Sequence, residues 1–182
     1  KAAVQSSLLG AIERRSALLS PLLATPKPKQ ALRIYDGYRE GGGRFVADVF
    51  GTTLVLFDHA SEEEAKDGAA LALGKEAMER LPFIDTVITK EKSSRDPERR
   101  RGTVVLGEAK DVCRSIVEDG VRYAVRLFAH HDSTFYLDTR GLRRFVRERA
   151  EGKTVLNAFA YTGSLGIAAT AGRARRVVQT DK

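Results

Sequence analysis

The stretch from Lys153 to Lys182, KTVLNAFAYTGSLGIAATAGRARRVVQTDK, constrains the possible folds of this chain more than any other. A short apolar, β-rich run, Thr154 to Ala160, meets a turn at Thr162-Gly163. A small-residue helical pattern, Leu165 to Ala171, then runs to a stop at Gly172, and a second β-branched run, Arg176 to Gln179, leads to Asp181. Strand, glycine turn, helix, strand and acid in this order build a parallel sheet, and ligands of such sheets sit outside the carboxyl ends of the strands. The plainer alternative is a buried strand followed by an Ala-rich core helix whose glycines only allow close packing. Periodicity does not separate the two.

Glycine chemistry narrows the ligand. A side chain at position 163 would keep a ligand from the backbone N–H groups of the turn, and the acid at 181 stands at the separation that suits hydrogen bonds from a ribose diol. Both features point to an adenosine-containing molecule. A dinucleotide fold would carry G-x-G-x-x-G, the cradle that pyrophosphate needs, but only Gly163 and Gly166 are present. One tight turn without a phosphate cradle suits S-adenosylmethionine and argues against a nicotinamide-dependent dehydrogenase.

With 182 residues, 42% of them apolar, the chain can bury a core as one domain plus a fragment or as two small domains. It has neither a run of eighteen uncharged apolar residues nor a cleavable leader pattern, so a cytoplasmic location is expected. The single cysteine, Cys113, cannot form an internal disulfide. A net charge of +7 permits polyanion binding without requiring it. One helix between two strands cannot cover both faces of a parallel sheet, so the C-terminal unit is expected to be part of a longer protein.

The remaining segments read in order. Lys1 to Leu23 is an amphipathic helix with Val4, Leu8, Ala11, Ile12 and Leu19 on one face, and 25–29 is a Pro-rich linker, so that 1–30 forms a first unit. An α+β central domain spans 31–132. Its opening is a meander of strands, Leu32 to Tyr35, Arg44 to Val49 and Thr53 to Phe57, with a hairpin turn at Gly41-Gly42-Gly43. Ser61 and Glu64 form a capping box for a helix with Ala65, Ala69, Ala72, Leu73 and Ala77 on its buried face, and Phe83 to Thr89 is a strand. Lys90 to Gly102, KEKSSRDPERRRG, reads as a basic loop in solvent, where Arg99, Arg100 and Arg101 are candidates for RNA phosphates. Further strands are expected at Thr103 to Leu106, Val112 to Val117 and Arg122 to Phe128, the last two joined by a tight Asp119-Gly120 turn. His130-His131-Asp132 lacks the companions a zinc shell needs, and no metal is expected. From 133 to 182 runs the start of a ligand-binding α/β unit. Asp138 is expected to cap a helix with Leu142, Phe145 and Val146 inward and Arg143, Arg144, Arg147 and Arg149 outward. Arg143 and Arg147 are therefore further RNA candidates.

FYLDTR at 135–140, VLNAFAYTGSLG at 155–166 and VVQTD at 177–181 together resemble the class I S-adenosylmethionine-dependent methyltransferases of the ribosomal-RNA large-subunit cytosine-C5 family. The likeness runs from about Gly120 to the end and more loosely from Leu32. It implies the first β-α-β unit of a Rossmann-like sheet, incomplete here, after an α+β region. It also implies S-adenosylmethionine bound by Phe159, Tyr161, Thr162 and Gly163, with Asp181 on the ribose and the corner of Tyr136, Asp138, Thr139 and Arg140 over the methionine end. Two positions depart from the pattern: Thr134 stands where the family commonly has Gly, and Thr139 where it has Gln.

Methyl transfer to cytosine C5 needs prior thiolate addition to the ring, and the base must leave its stack. Cys113 does not match the family's nucleophile, which lies beyond residue 182, so the chain alone is expected to be inactive. The activity expected of the complete protein is methyl transfer to RNA, by a chain able to pair with copies of itself as a homo-oligomer. The alternative is a basic RNA-binding module with a degenerate cofactor pocket and no activity.

Overall fold

In a computed structural model the described residues are 2–181, with side chains from Leu8 onward, so the side chain of Val4 lies outside them. Helices α1 (Ala2–Arg14) and α2 (Ser16–Leu23) precede a meander of β1 (Ala31–Asp36), β2 (Phe45–Phe50) and β3 (Thr53–Asp58). Helix α3 (Ala69–Arg80) leads to β4 (Thr86–Glu91), short helix α4 (Pro97–Arg101) and β5 (Thr103–Leu106). The hairpin β6 (Ser115–Glu118) and β7 (Val121–Ala124) follows. Helix α5 (Arg140–Arg149), β8 (Thr154–Asn157), α6 (Ser164–Ala171) and β9 (Arg176–Gln179) close the order.

The first five strands form one mixed sheet in the order β1-β2-β3-β4-β5. Only β3 and β4 run parallel, because α3 carries the chain between them; the other pairs are antiparallel. Every residue of β2, β3 and β4 is buried, since the sheet is covered on both faces and strands of that kind read as near-continuous apolar runs. On one face Ile34, Phe45, Leu54 and Leu56 pack with Leu8, Ala11 and Leu19 from the N-terminal helices and Leu73 and Ala77 from α3. On the other, Phe50, Val55, Phe57 and Ile88 pack against Ile116 and Tyr123 of the hairpin and against Phe135.

The N-terminal helix is broken at Arg15, where Arg14 and Arg15 hold Glu40 at 2.8 and 2.7 Å. The Ser61–Glu64 box forms, with Ser61 N donating to Glu64 Oε2 at 3.0 Å, yet it opens only a 3₁₀ turn. Gly68, left-handed at φ +77°, ends that turn, so α3 starts at Ala69 and buries Ala70, Leu73, Gly74 and Ala77.

The expected basic loop is corrected most. Lys90 and Glu91 are buried in β4, and 97–101 is helical, capped by Asp96. The Lys90 Nζ donates to the carbonyls of Arg101, His130 and Asp132 at 2.5, 2.7 and 3.0 Å. Burial in that position lowers its pKa to about 8. Arg99 pairs with Glu91 at 2.7 Å, while Arg100 and Arg101 remain exposed.

Helix α5 is inverted relative to the sequence pattern. Leu142 and Phe145 are 47% and 51% exposed, whereas the Arg143 side chain is 1% exposed. Its guanidinium grips Glu118 at 2.6 and 2.9 Å and lies 4.0 Å from the Phe135 ring centroid. Arg140 and Arg144 reach Asp119 at 2.7 and 3.2 Å, and Arg147 donates to the Asp119 carbonyl. This basic helix face is thus spent on the acidic tip of the β6–β7 hairpin. The hairpin turn itself forms as expected, with Asp119 and Gly120 at φ +49° and +80°.

Candidate cofactor site

Strands β8 and β9 pair in parallel from Thr154↔Arg176 to Asn157↔Gln179, with α6 between them. Beyond the pairing, Thr180 N donates to the Asn157 carbonyl at 3.0 Å and Ala160 N to the Thr180 carbonyl at 3.1 Å. These bonds bring Asp181 over the turn, where its Oδ2 accepts from Tyr161 N at 2.6 Å. Gly163 closes the turn at φ +83°, its N–H bonded to the Ala160 carbonyl at 2.7 Å, and opens α6. No side chain caps the first turn of α6, so its leading N–H groups point from the helix end without a side-chain acceptor. Gly166 has a packing duty: a Cβ there would collide with the Gln179 amide, which accepts from Asn157 Nδ2 at 3.1 Å.

A second wall comes from the segment before α5. Thr162 Oγ1 donates to the Thr134 carbonyl at 2.7 Å, which ties the turn to that segment. Thr134 is buried at φ +60°, a region where glycine is at ease, and this explains a glycine at the corresponding place in related patterns. The rings of Tyr136 and Tyr161 lie 5.2 Å apart, with His130 6.0 Å from Tyr161. Tyr161 itself takes φ +47°, an uncommon conformation for an aromatic residue that the surrounding bonds enforce.

Electrostatics around the tyrosines follow from Asp132. Burial acts to raise its carboxyl, but the hydrogen bond from Lys92 at 3.0 Å, the Lys92 charge and His131 outweigh it and hold it below the usual range. Tyr136 donates to Asp132 at 3.3 Å; burial and then that carboxylate raise its phenol pKa. Burial, then Tyr136 and Asp132, do the same for Tyr161. Both rings therefore stay neutral at physiological pH.

A sequence model of the family described as S-adenosylmethionine-dependent methyltransferase matches residues 99–182. Over more of the chain, the ribosomal RNA large subunit methyltransferase I of Erwinia tasmaniensis is 29% identical across 149 residues, 82% of this chain and 37% of the relative. The corresponding enzyme of Aeromonas salmonicida is 40% identical over 83 residues, 46% of this chain and 21% of its own length. Ribosomal RNA large subunit methyltransferase K/L of Pseudoalteromonas translucida is 28% identical across 74% of this chain and 19% of its own length. The chain thus spans only about a fifth to two fifths of the curated relatives it matches. In fold, it superposes on a solved structure assigned as an S-adenosylmethionine-dependent methyltransferase from Streptococcus mutans with a TM-score of 0.78 at 21% identity, over 99% of this chain and 44% of that one. A methyltransferase solved in complex with SAH gives 0.79 at 19% identity, again over 99% and 44%.

Within the segment that this family model matches, Tyr136, Tyr161, Thr162, Gly163 and Asp181 converge on one turn, and Phe159 projects from it with 89% of its surface exposed. The corner at 136–140 is only partly there. Asp138 does not cap α5; it lies in a 3₁₀ turn, and Thr139 precedes the helix without a side-chain cap bond. The Thr139 hydroxyl donates to the Tyr136 carbonyl at 2.9 Å and accepts from Arg143 at 2.6 Å, which braces the corner from beneath. Arg140 is bound to the hairpin tip and not to the turn. Among the RNA candidates, Arg143 is enclosed and cannot reach a solvent-borne ligand.

Sequence reasoning missed Thr134, Asp132 and Gln179. Only Thr134 left a trace, as a departure from the family pattern at a position that requires positive φ. Among the described residues no group of three metal-ligating side chains converges, and no helix is long and apolar enough to cross a membrane.

Proposed function

We propose that this chain supplies the central sheet and the cofactor turn of a cytoplasmic enzyme that transfers a methyl group from S-adenosylmethionine to RNA, with ribosomal RNA as the substrate class. The observation that carries this reading is the Asp181 carboxylate seated on the Tyr161 N–H of the turn that Gly163 closes. A carboxylate seated on a backbone N–H of the turn, beside helix N–H groups without a side-chain cap and an exposed Phe159 ring, has the donors and acceptors an adenosyl group needs. Asp181 would hold the ribose hydroxyls, Phe159 and Tyr161 would flank the adenine, and Tyr136 with Asp138 and Thr139 would bound the methionine end. With no phosphate cradle beside the turn, the residues fit an adenosyl sulfonium better than a dinucleotide. Bound there, the cofactor supplies an electrophilic methyl group.

The relatives' names support ribosomal RNA as the substrate class, and the solved complex of aTrm5 and tRNALeu shares the fold at a TM-score of 0.56. The acceptor we favour is cytosine C5. Cys113 is unsuited to that chemistry: burial raises its thiol pKa, the thiol donates to the Ser115 carbonyl at 3.2 Å, and its own N–H is bound to Thr53 Oγ1 at 2.9 Å. The attacking thiolate would come from outside residues 1–182. The full-length protein incubated with methyl-tritiated S-adenosylmethionine and unmodified ribosomal RNA should label the RNA, and nucleoside digestion should place the label in 5-methylcytidine. Label in another nucleoside would correct the acceptor, and no label would overturn the activity.

A further inference from the structure

Between the five-stranded sheet and the methyltransferase segment lies a cavity of about 400 Å³, within the size range of small-molecule sites. Its walls combine three kinds of chemistry. Tyr38 meets His59 edge to face at 5.3 Å and is 64% exposed, so one face of its ring is available. The Arg39 side chain is 88% exposed and touches Asp36 only at 3.9 Å. Beside them the half-exposed Arg33 commits Nε and Nη2 to the buried Asp48 at 2.8 and 3.1 Å, which leaves Nη1 to donate elsewhere. Asp138 supplies an exposed acceptor on the opposite lip.

The cavity adjoins the cofactor turn. Tyr136 lines it, and the same ring lies 5.2 Å from Tyr161. A group held in the cavity is therefore one aromatic side chain from the proposed cofactor. Stacking surface, a cation at the rim, and a donor facing the same opening as an acceptor are what an unstacked nucleotide requires. An apolar ligand would make no use of Arg33 Nη1 or the Asp138 carboxylate, and a bare anion would face Asp36, Asp48 and Asp138.

We propose that this cavity holds one unstacked nucleotide of the RNA substrate, its base stacked on Tyr38 with its edge against Arg33 and Asp138, and its phosphate on Arg39. The inference rests on the methyltransferase reading, so the test carries one arm for each. In the full-length protein, Tyr38→Ala and Arg39→Ala should each weaken binding of a short single-stranded RNA oligonucleotide roughly tenfold, the loss expected for a stacked base or a phosphate contact. Tyr38→Phe should retain affinity, and Arg39→Ala should reduce the salt dependence of binding by about one phosphate's worth. S-adenosylhomocysteine affinity, read by calorimetry, should stay unchanged in all three. Both truncated side chains are exposed, so the fold is preserved. RNA affinity within twofold of wild type in both alanine variants, with the cofactor product still bound, would overturn the cavity's role. Failure of the wild-type protein to bind S-adenosylhomocysteine would remove the underlying reading instead.

Discussion

Substitution of Arg143 by methionine tests whether a buried ion pair, and not an apolar stripe, seats helix α5. The Arg143 and Glu118 side chains are 1% and 8% exposed. Arg143 also donates to the Tyr136 carbonyl at 2.8 Å and to the Thr139 hydroxyl at 2.6 Å. Methionine fills much of the same volume but leaves the Glu118 carboxylate enclosed without a counter-charge, a situation that costs about 3–5 kcal/mol. Adding Glu118→Leu removes that stranded charge, so the double variant should recover part of the loss. The Tyr136 carbonyl would keep the Thr139 hydroxyl but lose the guanidinium N–H, a charge-assisted bond worth about 1.5–3 kcal/mol, and the double variant should settle roughly that far below wild type. Urea unfolding followed by circular dichroism, with a double-mutant cycle, gives both numbers. A single-variant loss under about 1 kcal/mol, or a double variant no more stable than the single, would refute the assignment.

Other consequences can be checked in parallel. Gly166→Ala places a methyl group against the Gln179 amide and should cost about 1–3 kcal/mol of stability; Gln179→Ala should be less harmful in that background than in wild type, by denaturation. Lys90 has a folded-state pKa lowered from 10.5 to about 8 by burial. The unfolded chain therefore binds more protons between about pH 8 and 10.5, and wild-type stability should rise through that window relative to Lys90→Met. Glu40 shows the opposite linkage: burial opposes ionisation, but Arg15 and Arg14 outweigh it and lower its pKa from 4.5 to about 2. Its contribution is present above pH 4.5 and lost as pH falls toward 2, so thermal melts of wild type should drop more steeply over that range than those of Glu40→Gln.

Local signals were enough wherever the determinant was local. The Asp119-Gly120 turn forms because those two residues take positive φ readily, and the Thr154-to-Asp181 unit forms because its period changes, its glycine turn and its closing acid all agree. The meander was legible for the same reason, with glycines between β-rich runs. Errors arose where a distant partner decides. Lys90 and Glu91 look like part of a solvated charge run, yet carbonyls of His130 and Asp132 and the guanidinium of Arg99 make burial possible. Helix α5 reads as Leu142 and Phe145 inward until Glu118 draws Arg143 beneath the helix. The site divides likewise. The turn and Asp181 were visible in one stretch of sequence, whereas Arg140 was lost to Asp119, a residue on a separate hairpin.

A calorimetric titration of S-adenosylhomocysteine into the full-length protein and its Asp181→Asn variant tests the cofactor turn most directly. The wild type should bind one-to-one, and the variant should bind with an affinity lower by roughly tenfold or more, the weight of a hydrogen bond to a charged acceptor. No heat of binding by the wild type, or equal affinity in the two proteins, would contradict that role of the turn.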